Sequence, residues 1–178
     1  KSRGVSTSRE TLRNLLSYYE QAYLLFSLPD LSRSLADNAR SSSKVYAIDP
    51  GMFAAFTRAS ALETGQRLET AVFNKLRRTT PSVRTGSLAR LTFEHGNKSH
   101  EIDFVTGDAL LDDVYQLVQV SVNLDDPKTR ARELSALESA MAKYGITEST
   151  LVTMDTEETV SVSSGMVHTL PAWKWLLD

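Results

Sequence analysis

The chain has no cysteine. That excludes disulfides, thiolate zinc sites and cysteine nucleophiles, and it suits a cytoplasmic protein. No apolar run approaches the roughly 18 residues a membrane helix needs. No charged-then-apolar leader opens the chain, which gives secretion no support. Glycine-rich phosphate cradles are missing too. "ETGQ" holds one glycine and is no phosphate-binding loop. The three histidines, His95, His100 and His168, show no metal-ligand spacing. Net charge is −2, so a globally basic nucleic-acid binder is excluded, while a local basic patch is not. Residues 1–44 carry seven Lys/Arg against four acids, so the remainder leans acidic.

What is present suits a soluble α/β protein. At 178 residues, with 41% apolar and 24% charged content, the chain can bury one solid core, with or without a small appendage. Near the N-terminus, Thr7 and Glu10 form a capping-box pattern. Leu12, Leu15, Leu16 and Tyr19 then recur at helical spacing. "AYLLFSL" and "KVYAI" (44–48) suit strands. Between them, residues 29–43 are polar and read as a loop. From residue 60 the order is helix, three strands, helix, strand. The first helix is "ALETGQRLETAVFNKLRR", and "HGNK" turns a hairpin. Asp126, Pro127 and Gly145 cap the second helix. A closing "PAWKWLL" reads as a short helix packed by Trp173 and Trp175.

Polar residues at unusual positions point to a site. In "HEIDFV" (100–105), Glu101 and Asp103 sit two apart in a strand. Strict alternation puts Ile102 and Phe104 on one face, and Glu101, Asp103 and Val105 on the other. In "QLVQVSV" (116–122), Gln119 and Ser121 have the same spacing. Glu69 falls near the middle of the stripe formed by Leu68, Val72, Phe73 and Leu76. A carboxylate there needs a basic partner, hydrogen bonds or a metal. Pairing of the two strands would set Asp103 beside Gln119 beneath Glu69. A hard divalent cation or a closed hydrogen-bond network would explain the cluster.

Two resemblances follow. Residues 1–48 resemble the back half of a winged-helix module, with its basic loop as the wing; a helix and hairpin packed on the core is the alternative. The stretches "KVYAIDPGM", "GQRLETAVFNKLRR", "EIDFV", "LVQVSVNLDDPKTRARELSALE" and "PAWKWLL" resemble the PD-(D/E)XK nuclease superfamily. More narrowly, they resemble the C-terminal nuclease-like domain of bacterial and archaeal AAA-type ATPases. This resemblance implies a restriction-endonuclease-like α-β-β-β-α-β core within residues 49–178, behind a winged-helix remnant, with an ATPase domain expected upstream.

Carried over by position, Glu69 matches the helix glutamate and Asp103 the strand aspartate. Gln119 takes the second acidic position, and Ser121 stands where the lysine belongs. Glutamine still offers Mg²⁺ a carbonyl oxygen, but serine cannot offset phosphoryl charge as lysine does. Arg132, in "TRARE" (129–133), is a candidate phosphate clamp, or an ion-pair partner closing the site onto Glu69 or Asp103. The expected function is a degenerate nuclease-like domain that binds DNA or a partner for the ATPase. An active Mg²⁺-dependent DNA endonuclease using Glu69, Asp103 and Gln119, and a structural or oligomerisation module, remain as alternatives.

Overall fold

The computed structural model describes residues 7–31, 43–52, 61–80, 87–96, 98–108 and 111–178. In chain order, α1 is Arg9–Gln21, β1 Leu25–Leu28, β2 Lys44–Ala47, α2 Ala61–Thr79, β3 Leu88–His95 and β4 Lys98–Asp108. There follow β5 Asp113–Val120, α3 Pro127–Tyr144, β6 Glu148–Thr153, β7 Glu158–Val162, β8 Gly165–Pro171 and α4 Ala172–Leu177. The result is mixed α/β. A six-stranded sheet runs in the order β3-β4-β5-β6-β8-β7, and β1 and β2 form a separate antiparallel pair.

Local chemistry accounts for the elements. Strands β3, β4 and β5 form an antiparallel meander, with Gly96 at positive φ in the first turn. β6 lies parallel to β5. Parallel neighbours need a long crossover, and α3 supplies it. Asp126 caps α3 by accepting from the Lys128 and Thr129 N–H groups, Pro127 fills the first turn, and Gly145 ends it at φ 68°. These caps match the expectation from sequence.

The sheet is covered on both faces. One core joins Leu137, Ala140 and Met141 of α3 to Ile102, Val105, Leu117 and Leu151. The other joins Leu68, Val72, Phe73 and Leu76 of α2 to Phe104, Val118 and Val152, with Tyr46 and Trp175. Trp173, expected to pack the last helix, is exposed instead.

Strict alternation fails in β4. Ala89 pairs with Val105 but Leu91 with Ile102, so β4 carries one residue more than β3 across this interval. Such a bulge re-aims the side chains around it. Ile102 and Phe104, expected on one face, enter opposite cores, and Asp103 turns toward the α2 side.

The N-terminal segment is a helix and hairpin joined to the sheet. Leu31 N–H donates to Arg90 O at 2.7 Å, and Arg90 N–H to Pro29 O at 2.8 Å. The α1 cap is Ser8, one residue later than expected, and its Oγ accepts from Thr11 N–H at 3.1 Å. No residue of α1 is buried. Most of the wing-like loop lies outside the described residues.

Candidate functional site

β2 brings a lysine to the carboxylates. The Lys44 ammonium lies 3.0 Å from Glu69 Oε1, 3.0 Å from Glu101 Oε1 and 3.1 Å from Asp103 Oδ1. Tyr46, two residues along and on the same face, donates its hydroxyl to Glu69 Oε1 at 2.6 Å. Its ring stacks on Phe73 at 4.3 Å, so the α2-side core fixes the hydroxyl. Glu69 therefore has the partners its position on α2 requires, and Lys44 is the basic one.

The sheet itself positions Asp103. The β4–β5 register runs to Phe104 opposite Val118. Past that pair, side chains take over the backbone groups. Asp103 Oδ2 accepts from Val120 N–H at 3.0 Å, and Gln119 Oε1 accepts from Asp103 N–H at 3.1 Å. Gln119 Nε2 donates to Glu133 Oε2 on α3 at 2.7 Å. Gln119 thus lies beside Asp103, as expected, but faces α3 rather than Glu69. Its carbonyl oxygen is committed to a backbone N–H rather than aimed at an ion.

The other two expected residues do not bond Glu69 or Asp103. β5 ends at Val120, and Ser121 Oγ turns back to donate to Asn123 O at 2.9 Å. Arg132 is exposed and bonds Glu133 Oε1 through Nε at 3.1 Å, in place of the expected pairing with Glu69 or Asp103. Glu69, Glu101, Asp103, Gln119, Arg132 and Glu133 line one pocket of about 370 Å³.

Sequence reasoning missed Lys44 and Tyr46, and gave Glu133 and Glu101 no role in the site. Lys44 and Tyr46 carried one signal, a polar residue and a tyrosine two apart in a short strand. Nothing local linked that strand to Glu69 or Asp103.

Charge is unevenly shared. Three carboxylates face one ammonium. Burial pushes the Asp103 carboxyl up and the Glu69 charge pushes it further. Lys44 and the Val120 N–H offset this only in part, leaving it at about 6. Burial alone would lower the Lys44 pKa, but Asp103 and Glu69, with the bonds to Glu101 and Glu69, outweigh it and the net direction is up. Both directions hold together because one ammonium cannot neutralise three acids. Burial, then Glu69, also raises Tyr46, so its hydroxyl stays a donor.

A pH prediction follows for the cation-free protein. Asp103 should titrate near 6 rather than 3.8. The native state then keeps a proton that the unfolded chain has lost, so the Asp103 contribution to stability falls as pH rises from about 4 to about 6. Carboxyl-detected NMR checks the midpoint, and Lys44→Met should move it higher. A midpoint near 4 contradicts this account of the cluster.

Residues 2–63 match DUF8612, a domain of unknown function. That match covers α1, β1 and β2, including Lys44 and Tyr46, but stops short of Glu69 and Asp103. Over 176 residues the chain is 31% identical to "Uncharacterized protein MJ1544" of Methanocaldococcus jannaschii. The match covers 96% of this chain and 37% of the archaeal protein, so the chain spans little more than a third of that relative. No solved structure matches it. Among the described residues, no helix is long and apolar enough to cross a membrane.

Proposed function

We propose that the pocket is a divalent-cation-dependent phosphodiester site for DNA, and that the chain is the nuclease-like part of a longer, ATPase-containing protein. The carrying observation is the Lys44 ammonium on the carboxylates of Glu69 and Asp103. An acid pair with an adjacent lysine is the chemistry such a site needs. Here the lysine comes from β2 rather than from position 121. This removes the main reason to read the site as degenerate. The succession α2-β3-β4-β5-α3-β6, with helices on opposite faces, supports an endonuclease-like core. The ATPase part rests on the sequence resemblance.

The donor set fits Mg²⁺. That ion takes one or two carboxylates and fills its other positions with water and phosphate oxygens. Among the described residues no three acids or histidines form a cage of their own, and none is required. Glu69 and Asp103 would hold the ion, without Gln119. Bound there, Mg²⁺ supplies polarisation of the phosphoryl group and an acidified water. Tyr46 and the Val120 N–H keep the two carboxylates in place. Lys44, protonated at neutral pH, offsets charge on the phosphoryl oxygens instead of accepting a proton.

Electrostatics makes binding conditional. With an excess of two negative charges, the cation-free cluster repels phosphate. Anisotropy of a labelled DNA duplex, measured in Ca²⁺ and in EDTA, tests this. The expected result is salt-sensitive binding in Ca²⁺ that weakens at least ~tenfold in EDTA. Absence of binding in both, or equal binding in both, contradicts the proposal.

A further inference from the structure

We propose that Lys44 is a displaceable internal cation: its ammonium takes the Glu69 and Asp103 oxygens that a divalent ion would use, so lysine and metal exclude one another. This rests on reading the pocket as a cation site, and the test below separates the two claims.

Geometry makes the exclusion. Lys44 Nζ sits 3.0 Å from Glu69 Oε1 and 3.1 Å from Asp103 Oδ1. Mg²⁺ binds oxygen at roughly 2.0–2.1 Å. An ion between the same two oxygens needs the space the ammonium fills, and its charge repels the ammonium. An ion there would lie about 1 Å nearer each oxygen than the ammonium does.

The surroundings suit a side chain that moves while its partners stay. Lys44 is the first residue of β2, and its side chain is 28% exposed on a flexible stem. Glu69 remains held by Tyr46, and Asp103 by the Val120 N–H. Glu101, the most exposed of the three acids, lies 3.0 Å from Nζ and gives the departing ammonium a partner nearer solvent. The Arg90 guanidinium, 3.8 Å from Glu101 and bonded to Asp30, faces the same place. The strand acid without a nuclease counterpart thus acquires a role as the resting partner of the displaced lysine.

Two measurements test this. Mn²⁺ affinity is read by electron paramagnetic resonance on wild type, Lys44→Met and Asp103→Asn, with Lys44→Gln as the substitute should Lys44→Met misfold. Lys44→Met is expected to bind at least ~tenfold tighter, and Asp103→Asn to lose the site. Removing any positive charge would favour a cation, so the second measurement follows the lysine itself. Acetylation of Lys44 by acetic anhydride, quantified by mass spectrometry, should rise several-fold when Mg²⁺ is added to wild type. Binding by Lys44→Met alone, with wild type silent, also supports the inference and marks the lysine as a lock. Asp103-dependent binding that is equal or weaker in Lys44→Met overturns it and leaves the cation site standing. Unchanged acetylation in a wild type that does bind the ion overturns it as well. Absence of Asp103-dependent binding in both wild type and Lys44→Met overturns both claims.

Discussion

Lys44→Ala is expected to lower Mg²⁺-dependent DNA cleavage by at least ~10²-fold, measured in single turnover at saturating cation. Ser121→Ala should stay within about twofold of wild type. The contrast separates two assignments of the basic residue. By sequence position the lysine is replaced by Ser121, and an active site must do without it. In space, Lys44 reaches both Glu69 and Asp103, while Ser121 bonds its own loop at Asn123. Removing one preorganised group aimed at transition-state charge typically costs 10²–10³ in rate. If Lys44 also competes with the cation, Lys44→Ala will bind metal more tightly and still turn over more slowly. A general loss of folding would not produce that split. Equal losses in both variants would contradict the assignment.

Phe104→Ala should cost ~3–5 kcal/mol of unfolding free energy, read by urea denaturation. Phe104 is fully buried in the α2-side core, 5.7 Å from the Tyr46 ring and 6.3 Å from Phe73. Removing it opens a void between the sheet and α2, where three aromatic rings meet. The same void loosens Tyr46, whose hydroxyl holds Glu69, so cation affinity should fall along with stability. Leu12→Ala, on the exposed face of α1, should change stability by no more than ~0.5 kcal/mol. A loss below ~1 kcal/mol for Phe104→Ala would mean that the cluster is not a packed core.

Local features of the fold could be read from sequence because their causes are local. The α3 caps are Asp126, Pro127 and Gly145 themselves, and the order from α2 to β6 follows from runs of matching period, whereas the β7 and β8 strands were not assigned. What failed to show depends on contacts distant in sequence. The bulge in β4 depends on how β3 pairs with it at Ala89 and Leu91, and without it Ile102 and Phe104 would share a face. α1 keeps an amphipathic stripe that none of the described residues bury.

The candidate site was legible in its acids and not in its lysine. Glu69 and Asp103 stand out because carboxylates on covered surfaces require partners. Gln119 was found as a neighbour of Asp103, but its amide orientation is decided by Glu133, on a helix that comes later in the chain. Ser121 was assigned by counting two residues along a strand that ends at Val120, so the count outran the sheet. Lys44 lies 25 residues from Glu69 and 59 from Asp103. Only the docking of β2 against α2 brings them together.

The most direct test is a time course of DNA cleavage in Mg²⁺ by wild type and Asp103→Ala, with EDTA as control. Cleavage by wild type alone, stopped by EDTA and absent in Asp103→Ala, is the predicted result. Failure of wild type to cut linear, circular or single-stranded DNA in Mg²⁺ or Mn²⁺, or undiminished cutting by Asp103→Ala, would contradict it.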